Sequence, residues 1–221
     1  KLAKKHNILL IIDNCFATPY LQKPISFGAD LVIHSATKLL DGQGRVLGGV
    51  TVGKKQLIEE LFLFARNTGA SLSPFNAWVL SKSLETLSLR VDRHSDNALK
   101  IAHQLEKQTN VNRVKYPFLK SHPQYHIAKK QMLKGGNIIS FEVEGGSQAA
   151  RDFIDSIKMC SISANLGDSR TIITHPASST HTKLSEEERL KAGITDGMIR
   201  LSVGLEHHED IWNDIKNALK N

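Results

Sequence analysis

The sequence predicts an α/β region followed by a smaller α+β region, and three features carry that prediction. First, the apolar runs at residues 8–12 and, after a break at Gly28, 29–33 are continuous rather than alternating. That pattern marks strands of a parallel sheet covered on both faces. Second, between Asn76 and about Lys107 the residues Leu80, Leu84, Leu87, Val91, Ala98, Ile101 and Leu105 recur at spacings of three and four or their sum. This predicts one long amphipathic helix, or two in succession. Third, short strand candidates at 137–143, 171–174 and 198–203 alternate with helical stretches, as in helices laid against a mostly antiparallel sheet. The boundary is expected near Ser83, giving regions 1–83 and 84–221.

Taken in order, residues 1–7 read as the charged tail of a helix that runs into the first strand, which ends at Asp13. A third apolar stretch, 46–52, contains Gly48 and Gly49, where missing side chains let backbone or ligand approach closely. Ser185 followed by Glu186, Glu187 and Glu188 fits a capping box, and Gly193 fits a stop, so a short helix is predicted over 186–192. Ile211, Trp212, Ile215, Ala218 and Leu219 give the last helix an apolar face.

The chain has 221 residues, 40% hydrophobic and 23% charged, which excludes disorder and provides for a sizeable core. The longest apolar runs fall far short of the ~20 residues of a membrane-spanning helix, and no secretory pattern opens the chain, so a soluble, cytoplasmic protein is expected. Cys15 and Cys160 are too few for a disulfide framework and lack zinc-ligand spacing; both read as small buried thiols. The net charge of +7 invites a nucleic-acid reading. The basic residues are nevertheless spread along the chain without interleaved aromatics, so a solvated surface is the expectation.

Chemistry concentrates at the strand ends. Asp13 closes the first strand, and His34-Ser35-Ala36-Thr37-Lys38 follows the second. Ligands of open parallel sheets gather beyond the carboxyl ends of strands. Singly, a strand-end carboxylate is often a turn former and a lysine is often solvated. Together, Lys38, Asp13, Ser35 and Thr37 are the parts pyridoxal phosphate needs: an amine for the Schiff base, a carboxylate for the ring nitrogen and hydroxyls for the phosphate. The amine must be neutral in exchange, and burial at the strand end would favour that form.

In the second half, strand 198–203 puts Ile199, Leu201 and Val203 on one face and Arg200 and Ser202 on the other. Arg200 needs an anion there. Spacing alone favours a salt bridge to a neighbouring acid over a bidentate clamp on a substrate carboxylate. His175 and His181 lack a third ligand at recognisable spacing, so loop-structure roles and no metal are expected.

The segment 13–49, DNCFATPYLQKPISFGADLVIHSATKLLDGQGRVLGG, resembles the cofactor-lysine region of the Cys/Met-metabolism pyridoxal-phosphate enzymes, the trans-sulfuration family. Its DGQGRVLGG part is similar to the O-succinylhomoserine sulfhydrylase branch, whereas cystathionine synthases and lyases more often carry an Asn-Gly-His-Ser type stretch. Leu39 stands where many relatives have Tyr. The resemblance implies an aspartate-aminotransferase-like, fold type I architecture, here the C-terminal part of the large cofactor domain plus the small domain. It implies that Lys38 carries the Schiff base, Asp13 pairs with the pyridine nitrogen, and Ser35 and Thr37 hold the phosphate. It also reverses the odds at Arg200, because MIRLSVGLE matches the strand whose arginine holds the amino acid's α-carboxylate. Asn165 would lie near that carboxylate, where many relatives have Ser.

The implied activity is γ-replacement on O-succinylhomoserine with sulfide, giving homocysteine and succinate in methionine biosynthesis. Cystathionine γ-synthase or γ-lyase activity is the nearest alternative, and a nonenzymatic interaction domain retaining the fold is an alternative of another class. The partners implied are a small amino-acid substrate, sulfide and, at full length, copies of the chain in a tetramer built from dimers; nucleic acid and membrane are not among them. Relatives are longer, so the chain corresponds to their C-terminal part. The missing part would carry the aromatic residue stacked on the pyridine ring, a backbone phosphate site and residues crossing a dimer interface. In this truncated form the chain is expected to bind cofactor poorly or not fold properly.

Overall fold

The apolar run at 8–12 becomes strand only at its end. In this computed structural model, which describes residues 1–220, β1 (Ile11–Asp13) lies parallel to β2 (Leu31–Ser35), with Asp13 opposite Ile33. Upstream of β1 the main chain of Leu10 is taken by Asp30. Its N–H donates to the Asp30 carboxylate at 2.8 Å, and its carbonyl accepts the Asp30 and Leu31 amides at 2.8 and 3.2 Å. Ile8, Leu9 and Ile11 are exposed, contrary to the expectation of a covered strand.

β3 (Gly49–Gly53) pairs with the other edge of β2, and it does so antiparallel. The first sheet is therefore mixed, in the order β1-β2-β3, not purely parallel as the apolar runs predict. The reason is local. A parallel partner needs a crossover of a dozen or more residues, usually a helix, but the segment between Ser35 and Gly49 forms the turn that bears Lys38 and the loop behind it.

The chain divides into two units between Leu89 and Arg90. Helices of the first unit are α1 (Leu2–Lys5), α2 (Thr18–Leu21), α3 (Lys55–Thr68) and α4 (Pro74–Leu84). Ser73 caps α4 by accepting the Asn76 amide at 3.2 Å, and Pro74 suits its first turn. The segment predicted as one helix or two is two: α4 stops at Leu84 and α5 runs Leu87–Leu105 across the division.

The second unit is built on a five-stranded sheet in the order β4-β5-β8-β7-β6. Its strands are β4 (Val111–Lys115), β5 (Ile138–Val143), β6 (Ser161–Ile162), β7 (Ile172–Thr174) and β8 (Met198–Ser202), all antiparallel except the β6–β7 pair. Its helices are α6 (Tyr125–Gln131), α7 (Gly146–Ser156), α8 (Glu186–Lys191) and α9 (His208–Ala218). One core joins Ile139, Phe141, Ile199 and Leu201 of the sheet to Ile101 and Leu105 of α5, Phe153 of α7 and Ile211 and Ile215 of α9. Phe141 and Phe153 meet edge to face at 5.6 Å, a favoured aromatic geometry. The capping box at α8 forms as predicted, Ser185 accepting the Glu188 amide and the Glu188 carboxylate accepting the Ser185 amide. Cys160 is buried as expected, but Cys15 is only half-buried. Among the described residues no helix is long and apolar enough to cross a membrane.

One buried histidine gives this second unit a pH dependence. His94 of α5 is fully buried, with Nδ1 2.6 Å from the Val203 carbonyl. A carbonyl only accepts, so Nδ1 bears the proton, and Nε2 has no partner among the described residues. Burial lowers its pKa to about 4, and the nearby Arg90 charge acts in the same direction. Between pH 6.5 and 4 the unfolded chain therefore binds a proton that the folded unit does not. Stability from this group is full above pH 6.5 and is lost as pH falls toward 4. Unfolding by urea should show a loss of about 2.5 kcal/mol from this group between pH 7 and 4.5. His94→Gln should lack that increment; an equal pH dependence in parent and variant would contradict the assignment.

Candidate active site

In the first unit the parallel register puts the carboxyl ends of β1 and β2 side by side, and the predicted residues Asp13, Ser35, Thr37 and Lys38 cluster at that edge. The turn after β2, Ala36–Leu40, is a wide helical turn closed by the Asp41 amide on the Ala36 carbonyl at 3.0 Å. Lys38 departs from its helical path with φ −92° and ψ −133°. The Gly42 amide donates to the Lys38 carbonyl at 2.8 Å. On the near side the Ala36 and Thr37 amides donate to the Gly48 carbonyl at 2.8 and 3.3 Å, and Thr37 Oγ1 accepts the Gly48 amide at 3.1 Å. Lys38, Ser35 and Thr37 are half-buried.

Asp13 accepts the Cys15 amide on Oδ1 at 3.0 Å, an Asx turn at the strand end. The Cys15 thiol and amide hold the Asp13 carboxyl below the usual carboxylate range, helped by the nearby His34. It is therefore anionic at neutral pH. Cys15 in turn ties the two strands, its Sγ accepting the Ser35 amide at 2.8 Å. Burial, then Asp13, push this thiol up, while the charge of Lys38 opposes them. His34, buried on β2, has its pKa lowered by burial and so is neutral, with Nδ1 unpartnered among the described residues.

In the second unit Arg200 stands mid-strand in β8, between Ser140 of β5 and Thr174 of β7. Its Nη2 donates to the carbonyls of Ala164 and Asn165 at 2.9 and 3.0 Å. The acid expected from spacing is not there: among the described residues no carboxylate lies within ion-pair distance. Burial lowers its pKa, and Nε is buried without a partner. A desolvated cation with an unused donor is costly unless an anion completes it. Asn165 is half-buried and accepts from Arg200 Nη2 on its main-chain carbonyl. His175 is buried between Ser178 Oγ at 2.8 Å and the Asp196 carbonyl at 2.7 Å, so both ring nitrogens are used in tying its loop to the turn before β8.

A family model described as Cys/Met metabolism PLP-dependent enzyme matches residues 1–220. The chain belongs to that family. It is 49% identical over 219 residues to O-succinylhomoserine sulfhydrylase of Pseudomonas aeruginosa, covering 99% of this chain and 54% of that protein. It is 46% identical over 216 residues to L-methionine gamma-lyase of Fusobacterium nucleatum subsp. polymorphum, covering 97% of this chain and 55% of the other. Among solved structures, cystathionine gamma synthase from Xanthomonas oryzae pv. oryzae, in complex with aminoacrylate and cysteine, superposes with a TM-score of 0.95 at 41% identity. That match covers 99% of this chain and 57% of the other. The architecture is thus the fold type I arrangement of the pyridoxal-phosphate enzymes. The chain spans about half the length of the curated relatives it matches.

The strand-end edge suits the family's cofactor. It offers an amine, a carboxylate held ionised by the thiol and amide of Cys15, and two hydroxyls. Of the hydroxyls, that of Thr37 is partly engaged by Gly48, and that of Ser35 meets no protein partner among the described residues. Three further residues shape this edge. Cys15 follows Asp13 at the i+2 spacing of an Asx turn, which is a legible signal. Asp41 and Arg45 were noted only as part of a family-like stretch.

Proposed function

We propose that the protein carrying this chain catalyses γ-replacement on O-succinylhomoserine with sulfide, giving homocysteine and succinate. The observation that carries the reading is that an ionised Asp13 ends β1 and Lys38 follows just beyond the end of β2, its adjacent parallel partner. Pyridoxal phosphate, when bound, supplies the electron sink for the C–H bonds broken at Cα and Cβ. Lys38 would hold it covalently, Asp13 would keep the pyridine nitrogen protonated, and Ser35 and Thr37 would face the phosphate. The Lys38 amine takes the Cα proton and then the Cβ proton of the bound amino acid, and a proton is returned to each carbon by the end. Arg200 binds the α-carboxylate through its free Nε–H, and Asn165 borders that carboxylate. The Cγ–O bond to succinate breaks and a Cγ–S bond to hydrosulfide forms, the remaining proton of hydrogen sulfide leaving with succinate.

The choice of ester and nucleophile draws on the 49% identity to the sulfhydrylase and on the DGQGR stretch. A second reading, γ-elimination from a sulfur amino acid to an oxo acid, is favoured by 46–47% identity to L-methionine gamma-lyases. Steady-state assays decide between them. O-succinylhomoserine and O-acetylhomoserine are each offered sulfide or cysteine, beside L-methionine alone. The proposal expects the highest kcat/KM for O-succinylhomoserine with sulfide. A higher value for methionine cleavage would favour the lyase, and one for cysteine as acceptor would favour cystathionine synthesis.

A further inference from the structure

The loop behind Lys38 contains a charged pair that the reaction itself does not use. Asp41 is fully buried, and its carboxylate gathers the amides of Gln43 and Arg45 at 3.4 and 2.7 Å on Oδ2, and Arg45 Nε and Nη2 each at 3.0 Å on Oδ1. Arg45 Nη2 reaches back to the Asp41 carbonyl at 3.2 Å and across to Ser83 Oγ of α4 at 2.7 Å. Ser83 is itself anchored, donating to the Val79 carbonyl at 2.8 Å. Gly42 and Gly44 have φ of 72° and 67°. These left-handed steps at alternate positions curl the loop so that the amides at 43 and 45 turn toward one carboxylate. The pattern Asp-Gly-x-Gly-Arg thus encodes the loop.

Asp41 also closes the Lys38 turn, since its amide is the donor to Ala36 and the next amide binds the Lys38 carbonyl. We propose that Asp41 and Arg45 form a positioning clamp that fixes Lys38 against α4 and sets the direction from which its amine meets the cofactor. The clamp rests on the reading that Lys38 bears that cofactor. Geometry of a reacting group is held by such supporting contacts, and small displacements are felt in its chemistry. The clamp is a feature of positioning, because neither side chain is one of those assigned to cofactor or substrate.

Its test uses the protein carrying this chain, loaded with pyridoxal phosphate. Borohydride reduction and peptide mapping locate the trapped cofactor, and the cofactor absorbance is titrated against pH in the parent, Arg45→Met and Arg45→Lys. Arg45→Met keeps the main-chain amides on Asp41. Arg45→Lys also keeps the positive charge, and it carries the test if the methionine variant yields no folded protein. The adduct is expected on Lys38 throughout, with the titration midpoint moved by about 0.5 pH unit or more in Arg45→Met and by less in Arg45→Lys. A merely structural role would lower the melting temperature and leave the midpoint in place. An unmoved midpoint with the adduct on Lys38 overturns the clamp and leaves the assignment of Lys38 standing. No adduct on Lys38 in the parent overturns both.

Discussion

Replacing Lys38 with alanine should lower turnover by about 10³-fold or more, since one side chain is asked both to hold the cofactor and to move the Cα proton. The fold should tolerate the change. Lys38 is half-buried, and the turn around it is held by main-chain bonds to Gly42 on one side and to Gly48 at Ala36 and Thr37 on the other. Melting should therefore stay within a few degrees of the parent, as is usual for substitutions outside the packed core. A small primary amine such as methylamine, added to the variant, should restore part of the rate by supplying the missing base. Retained turnover near the parent value without added amine would reject the role of Lys38. Loss of both activity and folded signal would point to a structural lysine instead.

Arg200→Met is the second large effect, and its signature is a split between activity and stability. Removing a charge-assisted clamp on the α-carboxylate should cut kcat/KM by about 10²-fold, mostly through KM. Stability should change by no more than about 1 kcal/mol, because the lost carbonyl bonds from Nη2 are offset by removal of a desolvated cation with an unpartnered Nε. Arg200→Lys keeps the charge but not the fork and should fall between the two. A kinetic parameter set equal to the parent's, or a stability loss of about 3 kcal/mol with KM unchanged, would make this arginine structural.

Legibility in the sequence followed how local the determining physics is. The α8 start was readable because a capping box involves only Ser185 and Glu188. β5 and β8 were readable because their apolar residues sit on one core face, and α9 because Ile211, Trp212 and Ile215 share one stripe. The place of Lys38 just beyond β2 was readable from the apolar run that ends before it. Other features depend on contacts distant in the chain. The run at 8–12 has a strand's composition, but Asp30, twenty residues on, takes the Leu10 main chain and shortens the pairing. The antiparallel entry of β3 depends on how the loop after Lys38 folds back, which composition does not reveal. α3 was not anticipated, although Leu57, Ile58, Leu61, Phe62 and Ala65 recur at helical spacing; its run Leu61-Phe62-Leu63-Phe64 is exposed in the structure. At Arg200 spacing alone favoured a neighbouring acid and the MIRLSVGLE resemblance a substrate carboxylate; the strand order sets Ser140 and Thr174, not an acid, beside it.

The central claim is a covalent bond between the Nζ of one residue and the cofactor. The direct measurement is borohydride reduction of the protein as isolated with pyridoxal phosphate, followed by tandem mass spectrometry of its peptides. A phosphopyridoxyl mass on Lys38 alone is the result expected. The same mass on another lysine, with Lys38 unmodified, would contradict the account.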